Sequence, residues 1–208
     1  MGGDTTRGPL TITITVFGEV PAGQALLRSG ARAGDDVWVS GTLGDARLAL
    51  EAFRGTASLP QAVFAAARER MDRPQPRVAL GLALRGIATA AIDVSDGLLG
   101  DLAHVLERSR MGATIDLSAA PRLLAAGAQG LALPPARVED LVFAGGDDYE
   151  LAFTAAPQHR AAVEAAAAQA ATPVTRIGRI DADPGLRLLD AQGRPVQRRF
   201  AGFDHFGT

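Results

Sequence analysis

The stretch Ala90-Ala91-Ile92-Asp93-Val94 followed by Ser95-Asp96-Gly97-Leu98-Leu99 constrains the fold more than any other in this chain. An unbroken apolar run reads as a central β-strand, and it stops at Ser-Asp-Gly, where a helical pattern over residues 98–110 takes over. A second strong signal lies at residues 10–17, Leu-Thr-Ile-Thr-Ile-Thr-Val-Phe, whose strict alternation predicts a strand with one apolar and one hydroxyl face. A strand of that quality needs neighbours, and nothing before it is long enough to pair with it, so the sequence reads as if it begins in the middle of a sheet.

Further strands are predicted at 37–40, 113–117, 151–154, 174–180 and 186–189, the last two linked by the turn Asp181-Ala182-Asp183-Pro184-Gly185. Helical patterns cover 45–53, 60–70, 77–87 and 159–169, with a short helix around 23–29. The Pro74-Gln75-Pro76 break separates two of them, and the next puts Val78, Leu82 and Arg85 on related faces. This mixed order predicts an α+β fold with a mixed sheet and helices packed on it, and no internal repeat is evident.

Composition narrows function. Of 208 residues, 47% are hydrophobic and 21% charged, with a formal net charge of −2, so the chain can fill a core and has no footprint for nucleic acid or an anionic membrane. No apolar run approaches the roughly 20 residues that span a bilayer, and Met1–Arg7 has no signal-peptide core, so a cytoplasmic protein is expected. Cysteine is absent, which excludes disulfides, thiolate metal sites and Cys nucleophiles. All 21 basic residues are Arg, which excludes Schiff-base chemistry, a Lys general base and the P-loop Lys. If this chain handles phosphate, it must do so with backbone amides, Arg, or metal ions held by carboxylates.

Three acid-bearing turns fit that requirement. In Asp93-Val94-Ser95-Asp96-Gly97, Asp93 ends the strand and Ser95 or Asp96 is placed to cap the helix; carboxylates attract hard cations while a helix N-terminus attracts anions. As an ordinary cap, the same turn would leave Asp101 a solvated helix residue. Gly2-Gly3-Asp4 and Gly145-Gly146-Asp147-Asp148-Tyr149-Glu150 place an acid directly after paired glycines, which let backbone approach a ligand closely; each alone could be a plain turn. Arg28 could reach a phosphate bidentately or be a surface residue. His104, His159 and His205 have no metal-site spacing, and Asp35-Asp36 begins a strand without an assigned role.

Together these motifs resemble the thiamine-monophosphate kinases. The resemblance rests on Gly-Gly-Asp-Thr-Thr-Arg ahead of the alternating strand, Val20-Pro21-Ala22-Gly23, Leu26-Leu27-Arg28-Ser29-Gly30-Ala31, Asp93-Val94-Ser95-Asp96-Gly97-Leu98, Gly145–Leu151 and Gly202-Phe203-Asp204-His205-Phe206, in the family's order over nearly the whole chain. It implies the aminoimidazole-ribonucleotide-synthetase-like fold: residues 1–20 as a remnant of the N-terminal ATP-binding domain with one strand of its β-barrel, and residues 21–208 as the C-terminal domain. It further implies ATP contacts from Gly3, Asp4, Arg28 and Ser95, Mg²⁺ ligation by Asp4, Asp93 and Asp96, and substrate contacts from Asp147 and Phe203, with no catalytic side chain required. Asp147 replaces the Glu usual in the family, keeping the charge with less reach. The implied reaction is ATP-dependent phosphorylation of thiamine phosphate by a homodimeric enzyme, with the present chain an incomplete and largely inactive form. Alternatives are another ATP-dependent enzyme of the same superfamily, or a non-catalytic binding or assembly remnant.

Overall fold

The computed structural model describes residues 12–125, 130–198 and 200. Its centre is a six-stranded sheet in the order β2-β4-β1-β5-β3-β6, built from β1 (Asp36–Ser40), β2 (Ala88–Val94), β3 (Gly112–Asp116), β4 (Glu150–Ala155), β5 (Val174–Asp181) and β6 (Gly185–Leu189). All neighbours are antiparallel except β3 and β6, which makes the sheet mixed as expected.

Alternating side chains separate two cores. Val37 and Val39 of β1, with Ala90, Ile92 and Val94 of β2, enter one core, whereas Trp38, Ala91 and Phe153 enter the other. The first lies beneath α1 (Asp45–Phe53), α4 (Leu98–Ser109) and α6 (Pro135–Ala144), and is extended by Val63 of α2 (Gln61–Asp72) and Leu123 of α5 (Ala120–Leu123). The second lies beneath α3 (Val78–Ala83) and α7 (Arg160–Gln169). Trp38 stands opposite Phe153 in the ladder, their rings stacked with centroids 6.4 Å apart. In α4, Leu98, Leu99, Leu102, Val105 and Leu106 form the buried stripe, and Arg110 in a left-handed conformation ends the helix.

Five expectations are corrected. β2 is an edge strand, not a central one; part of its outer side is covered by the preceding segment, where Leu27 O accepts a hydrogen bond from Ala91 N at 2.9 Å. That segment, expected to hold a short helix at 23–29, is turn and extended chain instead, because its backbone serves the sheet edge. The helix expected over 77–87 stops at Ala83, followed by turns up to Gly86 at φ 75°. β5 and β6 are joined by the expected turn yet do not pair; β3 lies between them. Finally, residues 12–17 of the alternating segment form no strand, and Ile14 and Phe17 are 81% and 91% exposed. A strand is held by its ladder, and among the described residues none pairs with this one.

The helix α6 was not apparent in the sequence. Its start is set by Pro134-Pro135, with Pro at the first turn, and Leu141, Val142 and Phe143 are buried.

Asp36, at the start of β1, is buried at 2% exposure and accepts from Arg160 Nε (2.6 Å), Arg160 Nη2 (2.9 Å) and Arg176 Nη1 (3.2 Å). The Arg160 hydrogen bonds hold its carboxyl below the ordinary value of 3.8 against the opposing cost of burial, and Arg176 adds to the effect. Its stabilising contribution is therefore present above pH 3.8 and lost as pH falls through the depressed folded value. Asp36→Asn should cost about 1.5–3 kcal/mol in chemical denaturation at neutral pH, and the deficit should shrink on acidification. A deficit independent of pH down to strong acid would contradict this account.

Candidate active site

The antiparallel register of β2 on β4 sets Val94 opposite Glu150, so the loop leaving β2 and the loop entering β4 meet at one end of the sheet. Backbone hydrogen bonds join them: Asp147 N donates to Ser95 O (2.8 Å) and Tyr149 N to Val94 O (2.9 Å). Asp147 and Tyr149 both sit at positive φ, 66° and 52°. Asp tolerates that region better than Tyr, and such conformations persist where surrounding bonds over-determine them.

Gly97, rather than Ser95 or Asp96, occupies the cap position of α4. Its φ of 123° is open to glycine, and a Cβ there would lie 3.0 Å from the carbonyl oxygen of Ala144, so the loop can nest against the end of α6 only without a side chain. The fastening comes from Asp101, which is buried rather than solvated and accepts from Ser95 N (2.8 Å) and Asp96 N (3.1 Å). Burial pushes the Asp101 carboxyl above the usual carboxylate range; the two amides oppose this, and the negative charges of Asp96 and Asp93 add to it. The Tyr149 hydroxyl is likewise raised, by burial and then by Asp147, Asp93 and Asp96. Asp93, Asp96, Asp101 and Asp147 thus act on one small region.

Arg28 reaches the same region through the Leu27–Ala91 hydrogen bond. Arg28 and Asp93 line one cavity of about 460 Å³, walled by Leu26, Val78, Ile92 and Leu151. No ion pair joins them, and neither side chain has a hydrogen-bond or ion-pair partner among the described residues. Opposite charges held apart in one cavity suit a ligand that carries both a cation and an anion. The structure therefore brings together Arg28, Asp93, Ser95, Asp96 and Asp147, while Gly3, Asp4 and Phe203 lie outside the described residues. Among the described residues, no group of three His, Cys, Asp or Glu side chains converges to hold a metal ion.

Asp101, Asp148 and Glu150 were given no role of their own from the sequence, although the run Asp147-Asp148-Tyr149-Glu150 was a visible signal for the last two. Asp148 is 2% exposed; its Oδ2 accepts from Gly44 N at the start of α1 (2.7 Å), and Oδ1 has no hydrogen-bond partner among the described residues. Burial raises its carboxyl well above the ordinary value of 3.8, the amides of Gly44 and Ala46 oppose this, and Asp45 adds to the rise. A raised folded value means a contribution fully present below pH 3.8 and lost as pH climbs through the folded value. Asp148→Asn keeps an acceptor without the charge and should melt no lower than the parent at neutral pH. The stability difference, parent minus Asn variant, should fall as pH rises from the ordinary carboxylate range. Asp148→Ala orphans buried amides and should cost about 1–3 kcal/mol. An Asn variant as weak as the Ala variant in the same denaturation series would refute the account.

Known proteins resemble this chain over most of its length. The family described as AIR synthase related protein, C-terminal domain, matches residues 32–191. The thiamine-monophosphate kinase of Salmonella typhimurium is 41% identical over 210 residues, covering 100% of this chain and 63% of the relative. The crystal structure of thiamine-monophosphate kinase from Stenotrophomonas maltophilia superposes with a TM-score of 0.74 at 43% identity, over 85% of this chain and 56% of that one. AaThiL complexed with AMPPCP and TMP superposes with a TM-score of 0.65 at 28% identity, over 87% and 54% of the two chains. The chain thus spans less than two thirds of the length of these relatives, and it belongs to the family of AIR synthase related proteins, of which it carries the C-terminal domain.

Proposed function

We propose that this chain is the C-terminal part of an ATP-dependent thiamine-phosphate kinase, with residues 21–208 forming its C-terminal domain and residues 1–20 belonging to the N-terminal ATP-binding one. The observation that carries this is the convergence of Arg28, Asp93, Ser95, Asp96 and Asp147 at one end of the sheet, in a chain similar to proteins of that name. The γ-phosphoryl group of ATP passes to a phosphate oxygen of thiamine phosphate as its bond to the β,γ-bridging oxygen breaks, giving ADP and thiamine diphosphate. The attacking oxygen is already ionised, so positioning and neutralisation suffice and no general base is required.

In this reading Arg28 and Ser95 contact ATP, with Gly3 and Asp4 completing that side. Asp147 and Phe203 contact thiamine phosphate. The exposed carboxylates of Asp93 and Asp96 offer the oxygen donors a Mg²⁺ ion requires, and Asp4, water and phosphate oxygens would supply the rest. Bound Mg²⁺ would neutralise charge on the transferring phosphates. The complete enzyme is a cytoplasmic homodimer on this reading; no helix among the described residues is long and apolar enough to cross a membrane.

Thiamine diphosphate formation from ATP and thiamine phosphate tests the proposal. The chain alone should turn over little. The chain fused behind the N-terminal portion of the Stenotrophomonas relative that it does not match should turn over readily. Asp93→Asn or Asp96→Asn in that fusion should lower kcat by roughly a hundredfold or more at an unchanged melting temperature. Full activity of either variant, or product formed from another phosphate acceptor alone, would overturn the assignment.

A further inference from the structure

Beside Arg28 and Asp93 the same cavity is lined by Arg77, a residue that neither the motifs nor the resemblance had marked. Arg77 precedes α3 and is tethered to Glu150, which is 1% exposed. Its Nε donates to Glu150 Oε2 (2.7 Å) and its Nη2 to Oε1 (2.5 Å), a side-on pairing that commits one edge of the guanidinium. Nη1 has no hydrogen-bond partner among the described residues.

The same carboxylate also holds Arg70 through Nη2 (2.6 Å) and accepts from Ser40 Oγ (2.6 Å). One carboxylate shared by two guanidiniums leaves the cluster with one positive charge in excess. Arg70 does not line the cavity and Arg77 does, so the excess charge faces the space that Arg28 also faces. Leu26, Val78, Ala91, Ile92 and Leu151 line the same cavity with apolar side chains, which offer no competing partner for that charge. In a chain whose every cation is Arg, two guanidiniums from different segments on one cavity form a clamp suited to a polyphosphate.

We propose that Arg77, oriented by Glu150, is a second anion-binding residue that acts with Arg28 on the polyphosphate of a nucleoside triphosphate. Glu150 then has two tasks: it neutralises Arg70 and fixes which edge of Arg77 remains available. The proposal rests on the nucleotide reading of the site given above, and extends it by one contact and by the buried carboxylate that sets its direction.

Isothermal titration of the 208-residue chain with AMPPCP and with sodium tripolyphosphate, both in excess magnesium, tests it. Arg77→Gln and Arg70→Gln each remove one guanidinium from Glu150 and leave the other in place, so a purely structural role predicts equal effects. We expect Arg77→Gln to weaken both ligands by about tenfold or more, as Arg28→Gln does, and Arg70→Gln to change them by less than about threefold. Equal losses for Arg70→Gln and Arg77→Gln, or unchanged binding in Arg77→Gln while Arg28→Gln weakens, overturns the role of Arg77 and leaves the nucleotide reading standing. Should the parent chain bind neither ligand, the same variants are titrated in the fusion described above, and no binding by the parent fusion overturns both. Should Arg77→Gln fail to fold, Arg77→Lys keeps a cation on Glu150 but not the fork, and binding as tight as in the parent overturns the proposal.

Discussion

The pairing of β2 with β4 is the constraint from which the site follows. Asp93 stands opposite Leu151 and Val94 opposite Glu150, so residues far apart in sequence enter one end of one sheet. Because side chains alternate, a slip of one residue along β2 would carry Asp93 into the core that now holds Ile92 and Val94, and turn those two to the face that now carries Ala91 and the exposed Asp93. Burying an unpaired carboxylate while taking two β-branched side chains out of their packed core is unfavourable on both counts. The apolar content of β2 therefore sets the register, and the register sets which way the acid points.

Charge is distributed in two ways in this molecule. Three carboxylates that face the interior are met by Arg, Asp36 by Arg160 and Arg176, Glu150 by Arg70 and Arg77, Glu51 by Arg47 and Arg137, whereas Asp101 and Asp148 are met by backbone amides. A planar guanidinium can serve a buried carboxylate along one edge and still present another, which the compact ammonium of Lys does less well. At the end of β2 the arrangement differs, for Asp93 and Arg28 share a cavity without pairing to each other. Ion pairs close to the interior rigidify the frame, and separated charges at its edge are left for a ligand.

Much of this was legible in residue order. The helix over 45–53 is observed at Asp45–Phe53, and the strand-to-helix passage at Ser95-Asp96-Gly97 lies where the apolar run ends, because burial periodicity and glycine are local signals. Strand order was not legible: an apolar run marks burial but not rank in the sheet, and β2 proved to be an edge whose cover is the backbone of residue 27. Asp101, Asp148 and Glu150 escaped notice for a related reason. The partners of Asp148 and Glu150 are remote in sequence, Gly44 for Asp148 and Arg70 for Glu150, and only tertiary structure brings these within reach; those of Asp101 are the nearby amides of Ser95 and Asp96, which the fold of the loop turns back onto the helix. Residues 12–17 of the alternating segment show the converse, a strong local preference without the ladder that would realise it among the described residues.

The loop before β4 joins these themes. It is tied to the β2 loop through Asp147 N and Tyr149 N, and to α1 through Asp148, while Glu150 at its end anchors Arg77 and Arg70. Two non-glycine residues in the left-handed region cost conformational energy, which these fastenings offset. A displacement of Asp147 must therefore move Ser95 through the hydrogen bond between them, or break that bond. The loop that carries Asp147 and Asp148 and the loop that carries Asp96 are thereby mechanically one unit, positioned by three elements of the same sheet-and-helix frame. Loosening any of those attachments should disturb both loops together, because neither is held by its own sequence alone.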